Sequence, residues 1–161
     1  MATGKATIGK TIPDLSVTAT GGKQFRLSEL RGQNVVIYFY PRDNTSGCTT
    51  EGLDFKASKT KFGRRNTIVL GVSRDSLKSH ENFKSKHEFP FDLISDENER
   101  LCKVFDVIKE KNMYGKKVLG IERSTFIMDA DGVLRQEFRK VKVAGHVNAV
   151  LEAVLDIDGK R

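Results

Sequence analysis

Two continuous apolar runs do most to limit what this chain can become. Asn34 to Tyr40 (Asn-Val-Val-Ile-Tyr-Phe-Tyr) and Thr67 to Ser73 (Thr-Ile-Val-Leu-Gly-Val-Ser) are apolar at nearly every position. A strand that alternates apolar and polar residues needs cover on one face, whereas a continuous run needs cover on both. Both runs are strand-sized, well short of the roughly 18 residues that a membrane span requires. The cover must therefore come from the rest of the protein. Between and after the runs the apolar spacing becomes helical, and alternating β and α elements around central buried strands predict a three-layer α/β domain.

The remaining elements follow from local chemistry. Leu15 to Ala19 and Gln24 to Leu27 flank Gly21-Gly22, which predicts an N-terminal β-hairpin, with a short helical turn from Ser28. Thr49 to Phe62 reads as one helix ending at Gly63, its apolar stripe carried by Leu53, Ala57, Phe55 and Phe62. Ser76 is placed to cap a helix running to about His87. Phe91 to Ser95 reads as a strand, Asp96 to Phe105 as a helix and Ser124 to Met128 as a strand. The Asp131-Gly132 turn leads to a hairpin partner over Val133 to Phe138, and Gly145 to Leu155 forms a last helix with Val147, Val150, Leu151, Val154 and Leu155 on one face. Hairpins at both ends make the expected sheet mixed, with helices on both faces. With no repeat, low-complexity stretch or linker, residues 1–161 read as a single domain.

Composition excludes rather than identifies. There are 28 Lys+Arg against 21 Asp+Glu, a formal net charge of +7, with Lys59, Lys61, Arg64 and Arg65 in one group and Lys109, Lys111, Lys116 and Lys117 in another. Such charge fits an acidic partner, or a non-specific binding module as a function of a different class. No helix-turn-helix, zinc-finger or RNP-type pattern turns it into specific nucleic-acid reading. Gly4 to Thr11 matches the P-loop pattern, yet only three residues precede it and Pro13 blocks the helix that must follow. His80 and His87 share a helix face with Leu77, which reads as partial burial, and no third ligand at zinc-like spacing implies a metal. The N-terminus lacks the apolar stretch of a secretory signal, so a reducing cytoplasmic setting is expected.

Chemistry concentrates where the first buried run ends: Tyr38-Phe39-Tyr40-Pro41-Arg42-Asp43-Asn44-Thr45-Ser46-Gly47-Cys48-Thr49-Thr50-Glu51. Cys48 falls at the start of a helix, where unpaired backbone N–H groups and the positive end of the helix dipole favour thiolate over thiol. A lone cysteine is commonly a small buried hydrophobe. Neighbours such as Ser46, Gly47 and Thr49 argue against that reading here.

This segment resembles the active-site loop of the peroxiredoxins, with Pro41, Thr45 and Cys48 at the spacing of their Pro-x-x-x-Thr-x-x-Cys motif. The flanking residues and the later Gly120 to Gly132 stretch (GIERSTFIMDADG) extend the likeness to the peroxiredoxin Q, or bacterioferritin comigratory protein, subfamily over nearly the whole chain. The resemblance implies a thioredoxin-like fold and peroxide reduction without metal, haem, flavin or other cofactor. By position it implies Cys48 as the peroxidatic nucleophile and Arg123 as the active-site arginine, with Thr45 and Pro41 completing the pocket. The Gly47 and Cys48 backbone N–H groups are further substrate-binding donors expected at a helix start. Glu51 and Glu122 both lie near enough in sequence to pair with an arginine there, and the sequence leaves the choice open.

A sulfenic acid on Cys48 needs a second thiol to complete turnover. Members of the subfamily often place it five residues further on or near position 84, which in this chain are Leu53 and Lys84. Cys102 remains, among Leu101, Val104 and Phe105, and reads as a packed core thiol rather than a resolving one. The expectation is a monomeric one-Cys peroxidase recycled by thioredoxin, glutaredoxin or glutathione. The alternative is a redox sensor that oxidises once without efficient turnover.

Overall fold

The computed structural model describes residues 4–159. Strands β1 (Ser16–Ala19) and β2 (Lys23–Arg26) form the N-terminal hairpin, a 3-10 turn covers Leu27–Leu30, and β3 (Asn34–Phe39) enters the core. Helices α1 (Ser46–Ala57) and α2 (Lys59–Gly63), strand β4 (Thr67–Ser73) and helix α3 (Leu77–His87) follow. The chain continues through β5 (Asp92–Ser95), α4 (Arg100–Val104), β6 (Ile108–Met113), β7 (Lys116–Ile121), β8 (Ser124–Met128), β9 (Leu134–Phe138) and α5 (His146–Gly159).

Seven strands make one sheet in the order β2-β1-β5-β4-β3-β8-β9. β3, β4 and β5 run parallel, while β8 pairs antiparallel with β3 and β1 antiparallel with β5, so the sheet is mixed as expected. Every residue of β3 is buried. Its side chains alternate between two cores: Val35, Ile37 and Phe39 point into one, Val36 and Tyr38 into the other. The second core is roofed by Phe55, Phe62 and Phe83 and by Val147, Val150 and Val154, from α1, α2, α3 and α5. The first is closed by α4 and by the N-terminal segment bearing Ile12 and Leu15. Both faces are covered, unevenly: the long helices share one side.

Two expectations need correction, and one element has no counterpart among them. The helix drawn from Thr49 to Phe62 starts earlier and breaks at Ser58 (φ −101°, ψ 6°), where α2 begins anew. Its buried face is Cys48, Glu51, Gly52 and Phe55, a helical stripe in which only the last is a large hydrophobe, while Leu53 is 40% exposed and Ala57 faces solvent. The helix drawn from Asp96 starts only at Arg100, because Glu99 adopts left-handed backbone (φ 62°) and the Asp96 carboxylate accepts from the Leu101 and Cys102 N–H groups at 3.0 and 2.8 Å. The hairpin β6–β7 has no counterpart in the sequence reading. Its turn places Tyr114 and Gly115 at positive φ (55° and 79°), as a two-residue hairpin turn requires, and both strands are largely exposed.

Among the described residues no helix is long and apolar enough to cross a membrane. The P-loop-like segment builds no phosphate cradle: Lys10 and Gly9 exchange backbone bonds with Leu134, and Thr11 bridges to Val133.

Candidate active site

The site grows from the sheet's centre. β3 delivers Tyr40, whose N–H bonds the Val72 carbonyl at 3.0 Å, and the half-buried Pro41 turns the chain out of the sheet. Thr45 is the N-cap of α1, with extended backbone (φ −78°, ψ 153°), yet its side chain does not cap the helix. Instead Thr45 Oγ1 donates to the Arg42 carbonyl at 3.1 Å, which ties the loop together and leaves the hydroxyl oxygen as an acceptor. The first-turn N–H groups of α1, those of Gly47 and Cys48 included, therefore lack a side-chain cap and remain open to an anionic oxygen. Cys48 occupies the third helical position and is 1% exposed.

β8 supplies the cation. Ser124 pairs with Phe39 across β3 and β8, so Arg123 emerges beside the end of β3 and the start of the Pro41 loop. Its Nη2 lies 3.4 Å from Cys48 Sγ and its Nη1 donates to Glu51 Oε1 at 2.6 Å. Gly47 makes room: a Cβ there would stand 3.2 Å from Nη2. Glu51, not Glu122, is thus the arginine's partner. Glu51 follows Cys48 by three residues, on the same side of α1.

The electrostatics reflect burial. Glu51 is 0% exposed, and desolvation pushes its carboxyl up to about 7 although Arg123 pulls the other way. The Arg123 guanidinium loses by desolvation, but Glu51 and Cys48 push it above its already high value. Glu51 Oε2 has no hydrogen-bond partner among the described residues and faces His146 Nε2 at 3.9 Å. That nitrogen lies 2.7 Å from Thr125 Oγ1. Burial first, then Arg123, lowers His146 to about 4. Lys111, whose ammonium donates to the Ile121 carbonyl, sits close enough to Arg123 that burial and then this guanidinium hold it below the usual lysine range. The pocket is therefore positive, with one carboxyl that protonates easily.

Cys48, Arg123, Gly47, Thr45 and Pro41 thus gather at one junction, while Cys102 does not. Cys102 is fully buried in the core on the other side of the sheet, and burial followed by Asp96 raises its thiol far above the ordinary range. His80, expected to be partly buried, is wholly enclosed and bonded to Asp43, whereas His87 is half-buried. His146 and Thr125 went unread, since a histidine after Gly145 carries no spacing signal toward a cysteine far upstream.

A family model described as the AhpC/TSA family matches residues 8–137. Peroxiredoxin Bcp of Xanthomonas campestris is 58% identical over 141 residues, covering 88% of each chain. Peroxiredoxin Bcp of Bacillus subtilis is 44% identical over 153 residues, covering 95% of this chain and 98% of its own. A solved structure of the Xanthomonas campestris bacterioferritin comigratory protein superposes with a TM-score of 0.86 at 56% identity, covering 89% of this chain and 92% of the other. The chain belongs to the AhpC/TSA family, among the peroxiredoxins of the Bcp, or peroxiredoxin Q, type.

Proposed function

We propose that this peroxiredoxin is a one-Cys thiol peroxidase in which Cys48 is the nucleophile, Arg123 the electrostatic partner, and an external thiol the reductant. The observation that carries the reading is the 3.4 Å approach of Arg123 Nη2 to Cys48 Sγ. The Cys48 thiolate attacks one peroxide oxygen, an S–O bond forms as the O–O bond breaks, and the leaving oxygen takes a proton to become water or an alcohol. Charge develops on that oxygen in the transition state, where a preorganised guanidinium and helix N–H groups contribute most. Thr45 offers its hydroxyl oxygen to the peroxide proton, while Pro41 walls the sulfur from bulk water. Cys48 becomes a sulfenic acid. A thiol then condenses with it, releasing water and leaving a mixed disulfide that a second thiol reduces.

Hydrogen peroxide and small organic hydroperoxides are the proposed substrates. The related Xanthomonas campestris protein, described for its alkyl peroxide reduction activity, supports the organic class. The one-Cys assignment draws on the placement of Cys102 in the opposite core, where it would have to cross the sheet to reach Cys48. The reductant is thioredoxin, glutaredoxin or glutathione, and the chain acts as a single-domain monomer in the cytoplasm, using no cofactor and binding no specific nucleic acid. Continuous peroxide consumption in the presence of a recycling thiol tests the proposal. The competing sensor reading requires one equivalent of oxidation and then none.

A further inference from the structure

Midway between Pro41 and Thr45 the loop carries Asp43, whose side chain turns inward and is buried. Its Oδ1 accepts from Tyr40 Oη at 2.6 Å, and its Oδ2 lies 2.7 Å from both Ser79 Oγ and His80 Nδ1. The Asp43 N–H donates to Asp75 Oδ2 at 2.8 Å, which also accepts from Ser73 Oγ at 2.5 Å. On the far edge of the ring, His80 Nε2 is 2.9 Å from the Ile94 carbonyl. A carbonyl has no proton to give, so Nε2 must carry one. With Asp43 ionised, its Oδ2, which already accepts from Ser79 Oγ, can only accept from the ring as well, and Nδ1 carries a second proton. Neither Asp43 nor Asp75 has a lysine or arginine partner among the described residues, and the groups facing His80 are Tyr40, Asp43, Asp75, Ser79 and the Ile94 carbonyl. Among the described residues the second proton on His80 is then the one side-chain positive charge in contact with the buried Asp43 carboxylate. The spacing of Asp43, Asp75 and His80 is short enough for a metal, but a cation would have to displace these donors.

We propose that His80 is a positioning residue: doubly protonated, it clasps Asp43 and so holds the Pro41–Thr45 loop, and with it the first turn of α1, in the geometry that Cys48 needs to attack peroxide. The loop has no other inward-facing charge to fix it, and the clasp joins it to α3 and to the segment after β4. This rests on the peroxidase reading above. It extends that reading to residues that touch neither the sulfur nor Arg123.

Two measurements test it. In the full reduced chain, long-range proton–nitrogen correlation of ¹⁵N-histidine at pH 7 should show one of the three histidines with both ring nitrogens protonated and that signal lost in His80→Asn. A spectrum in which no histidine has both ring nitrogens protonated overturns the proposal whether or not any variant folds. His80→Asn should also slow Cys48 oxidation by hydrogen peroxide about tenfold or more, because a misplacement of about 1 Å at the reacting centre costs up to about a hundredfold, while iodoacetamide alkylation of Cys48 stays within about twofold. Adding Asp43→Asn should then cost little more, as expected for partners in one interaction. An unchanged peroxide rate in His80→Asn overturns the clasp. A wild-type rate no faster than that of free cysteine would instead sink the peroxidase reading, leaving the ring nitrogens to decide the clasp on their own.

Discussion

Arg123 reaches to 3.4 Å from Cys48 Sγ across Gly47, the residue before the cysteine, where a Cβ would crowd the same Nη2 at 3.2 Å. The same guanidinium is held from behind by Glu51 at 2.6 Å, so its position is set by α1 itself rather than by the loop that carries it. One helix therefore supplies the nucleophile, the gap through which the cation approaches and the carboxyl that anchors it.

Arg123→Ala removes the permanent charge facing the sulfur, and peroxide turnover should fall by about one order of magnitude or more. Arg123→Lys should recover only part of that loss. A lysine keeps the charge, but its single ammonium does not bridge Sγ and Glu51 as a planar fork does. Wild-type-like rates in Arg123→Ala, read by stopped-flow oxidation of Cys48, contradict the assigned role.

The two cysteines lie in cores on opposite faces of one sheet. Oxidation with one equivalent of peroxide and no reductant should add 16 mass units to the Cys48 peptide, from the sulfenic acid, and a second equivalent should add 32, from the sulfinic acid. Cys102→Ser should retain turnover with an external thiol, while Cys48→Ser should lose it. A loss of two hydrogens, with a Cys48–Cys102 linked peptide, would overturn the one-Cys reading.

How far the sequence was legible depended on which force held each element. β3 and β4 were plain because their interiors are continuously apolar, with the polar Asn34, Thr67 and Ser73 confined to the strand ends. The buried face of α1 was not, because Cys48, Glu51 and Gly52 are not hydrophobic and the exposed Leu53 drew the stripe to the wrong side. The β6–β7 hairpin escaped notice since it is half lysine and polar and buries little, so neither strand nor helix periodicity marks it. Cys48, Pro41 and Thr45 were readable from one contiguous motif, and Arg123 from a second. His80 and His146 were not, because each meets its partner through the fold alone.

Gly52 lies one turn beyond Cys48 and packs its bare Cα face against Phe89, where an added Cβ would come within 2.5 Å of Cζ. Phe89 is wedged against Phe83, His87 and Phe91 and has little room to yield. Overpacking of this kind costs roughly 1–3 kcal/mol, of which the better helix propensity of alanine returns about 0.5–1. Gly52→Ala should lower Tm by roughly 3–6 °C and slow the peroxide step as well, because α1 must shift to admit the methyl. An unchanged Tm would mean that Phe89 moves freely.

Glu51 and His146 make opposite demands on pH. Burial raises Glu51 from 4.5 to about 7, so the folded state holds a proton that the unfolded chain has lost; that stability is full below about 4.5 and drains away as pH rises to about 7. Burial lowers His146 from 6.5 to about 4, so its contribution is full above about 6.5 and drains away as pH falls to about 4. Each is worth on the order of 3 kcal/mol across its window, and over the shared range the two slopes nearly cancel. Wild-type stability from this pair should therefore change little between about pH 4.5 and 6.5. Glu51→Gln leaves only the histidine slope, and stability should rise with pH through that range; His146→Gln leaves only the carboxyl slope, and stability should fall. Urea midpoints at three pH values distinguish the outcomes. Parallel curves for wild type and both variants would mean that neither group is titrated by folding, and that the 3.9 Å contact between them is electrostatically silent.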